Sequence, residues 1–373
     1  MPHPNEPIGT LTLEFLCRLF CENAALRERL DVTLHVIKVA DPDGLALNEG
    51  WFKGRFSPLR YALNYYRPPH REQVEWSFPV SYKTLQFDTP SPETAVVMRI
   101  MERVRPTFFY SLHNAGFCGV YFYVSHERPA LFDAFHRLVA DQGLPLHLGE
   151  PEVPYLRTLA PAVYALFGID ETYDYMASAL DEDPAPLIEA GTSADDWLRG
   201  VSDAFSLVCE LPYYTAPALA DASGAGCTRA DAVRTGIARA ESLHEECARG
   251  FRQLADRAPD HRLTRSVEDY LHKTPKRLAA ERAHAEAAEY DREATRAEAL
   301  DATACRAFYH VLYLGEVFRI AEMVGAPALA AELRTRLAAI VGEIEAESAL
   351  RVLPLRPLVA VQAGAGLLAL AHP

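Results

Sequence analysis

Residues 31–44 read DVTLHVIKVADPDG. A short run rich in valine, leucine and isoleucine gives way to Asp41-Pro42-Asp43-Gly44, four residues with turn chemistry. Such a run, bounded in this way, predicts a buried strand over 31–40. Upstream, Ile8 to Leu30 presents Leu11, Leu13, Phe15, Leu16, Leu19, Phe20 and Leu26 on one broad face, with Arg18, Glu22, Arg27 and Arg29 opposite. That is the period of an amphipathic helix. A helix feeding a buried strand is the rhythm of an α/β protein. The expected fold class is therefore α/β, with a mixed but mainly parallel sheet flanked by helices.

The chain downstream continues in kind. Pro90 to Arg105 predicts a helix capped by Ser91. Thr107–Leu112, Gly119–Ser125 and Ala204–Leu211 predict strands, and Pro129–Gln142 and Tyr155–Phe167 predict helices. Residues 45–90 are irregular and aromatic, with Arg55, Arg60, Arg67 and Arg71 interleaved. They read equally as a layer covering a core or as a lid over a substrate.

Composition shifts at APALADASGAG (216–226). Beyond it, Ala, Arg, Glu and Leu dominate and strand signals fade. This divides the chain into a catalytic domain over 1–220 and an all-helical region over 221–373. Thr228 with Asp231 marks a helix start, and Ala280–Leu300 reads as a solvated helix. The helical region is read as packing on the first domain or on a second copy of the chain, giving a homo-oligomer.

Lys plus Arg number 37 and Asp plus Glu 51, for a net charge of −14 over 373 residues. That argues against nucleic acid as a partner, which requires a basic face. The last apolar run, Pro357–Ala371, is too short and Gly-rich for a membrane span. Seven scattered cysteines without a CxxC pair read as reduced thiols, and no basic-then-apolar leader opens the chain. Both features fit a cytoplasmic protein.

Three positions separate His3 from Glu6 at the head of the first helix. An imidazole and a carboxylate so spaced can share one metal ion, and zinc accepts that mixture. The spacing alone is weak, since it recurs at His147 and Glu150, where it reads as chance. Company makes the difference. His113 lies at the exit of a predicted strand, and Glu210 near the end of another. Strand ends are where open α/β sheets carry their sites, and a buried carboxylate needs a partner or a task.

Four stretches, taken in order, resemble the zinc carboxypeptidase family. His3-Pro4-Asn5-Glu6-Pro7 resembles its His-x-x-Glu zinc motif, and Asp41-Pro42-Asp43-Gly44 its Asn-Pro-Asp-Gly turn. Ser111-Leu112-His113-Asn114 is similar to the segment with the third zinc ligand. Gly191–Trp197 followed by Ser206–Leu211 resembles the Gly-Ser-Ser-x-Asp-Trp and Phe-Thr-x-Glu-Leu pair, with thirteen residues from Trp197 to Glu210. The resemblance covers roughly residues 1–215. It implies one Zn²⁺ held by His3, Glu6 and His113, with Glu210 as the base that activates water and then protonates the leaving amine.

It also implies a peptide substrate, bound through its terminal carboxylate. The family's Asn-Arg pair is not cleanly present, because Tyr65 follows Asn64. Arg60, Asn64 and Arg67 are the substitutes, with Arg55 as the arginine that polarises the scissile carbonyl. Asp195 falls where the family tunes side-chain preference, and an acid there implies basic substrates. The family's further strands before His-x-x-Glu are not seen, so His3 is expected at a fraying terminus. A second reading is a deacylase of N-acyl amino acids, of the aspartoacylase and succinylglutamate-desuccinylase type, since His3-Pro4-Asn5-Glu6 resembles that group's His-Gly-Asn-Glu. A third is an inactive or truncated domain with a role in assembly.

Overall fold

The computed structural model describes residues 1–180 and 182–372. The predicted first helix is two, α1 (Ile8–Glu22) and α2 (Ala24–Leu30). Asn23 divides them: its backbone is extended, and its side chain accepts from the Leu26 N–H to cap α2. Residues 31–40 are not a strand. Ala40 N–H donates to the Met1 carbonyl at 3.1 Å, while Val32, Leu34, Val36 and Ile37 lie exposed. Strand composition describes a side chain's fit to a pleated surface. Among the described residues no strand runs alongside to provide that surface. The turn residues that follow start a helix instead. Asp41 accepts from the Gly44 N–H at 2.9 Å and caps α3 (Pro42–Phe52).

Next come α4 (Pro58–Asn64) and α5 (Pro92–Val104), the latter capped by Ser91 as expected. The central sheet contains β1 (Phe108–His113), β2 (Tyr121–Val124), β3 (Thr158–Ala160), β4 (Val163–Ala165) and β5 (Phe205–Glu210), with α6 (Pro129–Asp141) after β2. Its order is β1-β5-β2-β4-β3. The β1/β5 and β2/β4 pairs are parallel, and the β5/β2 and β4/β3 pairs antiparallel. The sheet is thus mixed in equal parts, not mainly parallel. The predicted helix at 155–167 fails at Pro161-Ala162. Proline cannot continue a helix interior, and Ala162 takes a φ of +55° in the turn that joins β3 to β4.

Beyond the sheet run α7 (Arg229–Arg252), α8 (Arg262–His284), α9 (Arg306–Met323), α10 (Pro327–Ser348) and α11 (Leu355–Ala371). Thr228 caps α7 through the Asp231 N–H. The expected solvated helix at 280–300 is broken. After α8 ends, Glu293–Thr295 pairs antiparallel with Gly224–Thr228, and a Thr295–Glu298 capping box starts a new short helix. Pro275 sits inside α8. Its missing N–H frees the Leu271 carbonyl, which accepts from His244 Nε2 at 3.1 Å.

One cluster of buried side chains runs from Ile8 through Phe122, Leu207 and Val311 to Val361, joining sheet and helices. Gly9 is required where α1 meets β1, since a Cβ there would lie 2.9 Å from Leu112 Cβ. The predicted lid region contributes to this core through Trp51, Tyr61 and Tyr65. All seven cysteines are free, and Cys118, Cys209, Cys247 and Cys305 are buried. Among the described residues no helix is long and apolar enough to cross a membrane.

Candidate metal centre

The register of the sheet builds the site. β1 and β5 pair in parallel so that His113 stands opposite Glu210. Paired residues on neighbouring strands share a face, and His113 Nδ1 lies 3.6 Å from Glu210 Oε1.

The N-terminal loop delivers the other two side chains. Glu6 N–H donates to the His3 carbonyl at 3.1 Å and closes a turn, in a stretch where Pro2, Pro4 and Pro7 each fix φ. Asn114, just past β1, grips this loop from both sides. Its backbone N–H donates to Glu6 Oε2 at 3.1 Å, and its Oδ1 accepts from the Ile8 N–H at 3.1 Å. Tyr213 donates to the Asn5 carbonyl at 2.8 Å. Met1, His3, Asn5 and Glu6 are all buried. The expected fraying does not occur, because the loop packs against the strand ends.

His3, Glu6 and His113 offer ligand atoms that all lie within 4.8 Å of one another. The two imidazole rings are 5.0 Å apart, and His113 Nδ1 is 3.1 Å from Glu6 Oε2. His3 Nδ1 is buried with no hydrogen-bond partner. Two imidazoles, one carboxylate and an orphaned ring nitrogen fit a zinc ion.

The two imidazoles differ in charge state: neutral His3 suits the donor set as it stands, whereas His113 has to release its proton before it could ligate. Burial, then the nearby Arg67, holds the His3 pKa well below its usual value, so the His3 imidazole is neutral. Burial would lower His113 too, but Glu6 and Glu210 outweigh it and raise it to about 9. Burial drives Glu210 well above the carboxylate range, with His113 opposing.

A further set of groups orients the ligands. Ser111 Oγ lies 2.8 Å from His113 Nε2, and Glu75 Oε1 3.9 Å from it. Burial raises Glu75 to about 7. This leaves Nδ1 toward the cluster, the arrangement in which a distal partner fixes a ligating histidine. From the far side, Gln362 of α11 donates to the carbonyls of His113 and Cys209 at 3.0 and 3.3 Å. Its own Oε1 accepts from Thr12 of α1 at 2.9 Å.

The cluster opens into a cavity of about 440 Å³. Its lining comes from both parts of the chain and includes Glu75, Glu152 and Asp195 together with Tyr270, Arg277, Tyr309 and His310. Asp195 is buried and accepts from Ser193 Oγ at 2.8 Å, while its Oδ2 has no hydrogen bond and lies 3.9 Å from Arg199 Nη2. Burial raises its pKa to about 6.

The predicted arginines fall elsewhere. Arg55 is exposed, and neither it nor Arg60 nor Asn64 lines the cavity. Arg60 Nε donates to the Gly50 carbonyl, and Asn64 Nδ2 to the Arg60 carbonyl. Arg67 does line the cavity, but Glu6 Oε1 takes its Nη1 at 2.8 Å and Gln73 its other nitrogens. The second His-x-x-Glu stretch is structural, as expected. His147 Nε2 meets the Glu150 backbone carbonyl at 2.9 Å, and the Glu150 carboxylate is held by Arg229. Glu75, Gln362 and Arg277 escaped the sequence reading, because each sits in an ordinary local context and reaches the site only through tertiary packing.

No protein family, curated protein or solved structure matches the chain.

Proposed function

We propose that the chain is a zinc-dependent amide hydrolase of the metallocarboxypeptidase type. The observation that carries this reading is the convergence of His3, Glu6 and His113 beside Glu210 on one cavity wall. Zinc held by the three ligands would polarise a carbonyl and lower the pKa of water. Glu210 takes the proton of the attacking water and returns it to the leaving nitrogen, general acid–base work suited to a carboxylate with a raised pKa. Ser111 and Glu75 keep the His113 ring turned toward its ligand position. The Asp195 carboxyl in the cavity lining favours a cationic side chain on the substrate.

The deacylase reading stays beside this one on a specific ground. Tyr270, Tyr309 and His310 add bulk to the cavity lining, which favours a short substrate over a long peptide. One experiment tests both. Purified protein is assayed for zinc and for release of amino acids from C-terminal peptides and from N-acyl amino acids. One zinc per chain with turnover of either class is the expected result. A chain that takes up no zinc and turns over neither class overturns the proposal and leaves the inactive domain.

A further inference from the structure

Five carboxyl groups line the cavity, from Glu6, Glu75, Glu152, Asp195 and Glu210. An anionic substrate would be repelled unless a cation faces it. Two arginines line the same cavity, Arg67 and Arg277. Arg67 is committed to Glu6 and Gln73, as described. Arg277 is not committed in this way. Among the described residues its ion-pair partner is Glu281, one helical turn on, with Nε and Oε1 3.6 Å apart. Glu281 is itself held more closely by Arg306 Nη1. The Arg277 guanidinium therefore stands at the cavity mouth with its charge largely uncompensated and its side chain mostly exposed.

The surroundings of Arg277 suit an anion. Its charge helps to hold buried His310 well below the usual histidine pKa, after the larger effect of burial, so His310 is neutral. The Tyr270 hydroxyl lies 2.9 Å from His310 Nδ1. With that nitrogen accepting, the ring proton sits on Nε2 as a second donor. Tyr270 stacks on Tyr313 at 3.9 Å, which fixes the wall behind. All four residues belong to α8 and α9 and line the same cavity as the metal centre.

We propose that Arg277, supported by His310, binds the carboxylate of the substrate, so that the helical region is half of the substrate site. This rests on the hydrolase reading for the nature of the substrate, and on the cavity alone for the anion. A guanidinium engages a carboxylate through two parallel hydrogen bonds, which the ammonium of lysine cannot reproduce.

The test uses a panel of N-acetyl dipeptides and N-acetyl amino acids, each as the free acid and as the amide. Binding is measured by calorimetry and turnover with zinc present, on the intact chain. Hydrogen bonds to charged groups contribute roughly 1.5–3 kcal/mol, so wild type prefers acid over amide by about 10- to 100-fold. Arg277→Gln should reduce that preference to about threefold or less, through KM and Kd with kcat nearly unchanged; Arg277→Lys should restore part of it. Since the side chain is mostly exposed, neither variant threatens the fold. A wild type that does not prefer the acid, or an Arg277→Gln variant that keeps the full preference, overturns the proposal. Preference without turnover sustains Arg277 and sinks the hydrolase reading; turnover with a preference indifferent to Arg277 does the reverse.

Discussion

His3–Glu6 and His147–Glu150 have the same spacing and opposite fates. In the second, every strong group is consumed locally. The His147 ring is tied to the Glu150 carbonyl, and the Glu150 carboxylate to Arg229. In the first, the backbone closes the turn by itself, so the side chains are left to point at His113. His3 Nδ1 finds no partner at all. A spacing becomes a candidate site when the fold buries its polar side chains together and leaves one of their atoms, here His3 Nδ1, without a partner.

Substitutions can break that contrast. The largest effect is expected beside the first stretch, where Glu210→Gln should lower hydrolysis by about 10³-fold with zinc still bound at one per chain. Loss of zinc in that variant would move Glu210 from base to ligand. Next, His3→Ala should weaken zinc binding by at least about 100-fold, measured by competition with a chromophoric chelator. His147→Ala should leave zinc untouched and lower stability by about 1–3 kcal/mol, because the Glu150 carbonyl loses its donor. Equal zinc loss in both variants would erase the distinction.

Gln362→Leu tests whether the site depends on support from behind. It leaves the His113 and Cys209 carbonyls and the Thr12 hydroxyl without this partner, so about 3 kcal/mol of stability should be lost, with a fall in kcat exceeding any change in KM. A variant with wild-type kcat would reduce Gln362 to a packing residue.

The smallest effect concerns a buried carboxyl that is only half satisfied. Glu316 accepts from the Arg67 N–H through Oε1, while Oε2 has no partner. Burial raises its pKa from 4.5 to about 8. Between those values the folded chain holds a proton that the unfolded chain has released, so stability falls as pH rises through that window. Glu316→Gln should flatten this slope and raise stability at pH 8 by about 2 kcal/mol. Chemical denaturation at pH 5 and pH 8 reads the difference directly.

Much of the candidate site could be read from the sequence, and the reasons are local. His113 and Glu210 end strands whose composition and length are plain, and His3 and Glu6 head a helix. Register was not legible, yet it alone sets His113 opposite Glu210. Residues 31–40 mislead because propensity cannot supply a neighbouring strand. The arginines mislead for a related reason: Arg55, Arg60 and Arg67 are near in sequence, but charge goes where a partner or a cavity receives it. Arg277 lies about 270 residues from His3, and no spacing rule reaches that far. Pro161-Ala162 breaks the helical pattern of the apolar residues around it, because proline cannot continue a helix interior.

Gln362 also bears on the order in which the protein becomes itself. Its partners lie 350, 249 and 153 residues earlier in the chain. Contacts of such separation form late, after the loops between them have been closed. On a ribosome, Glu210 and His113 emerge well before the helix that fastens their strand ends. The nascent chain therefore carries its chemical groups unfastened through much of its synthesis, and the docking of α11 is the step that sets them in place.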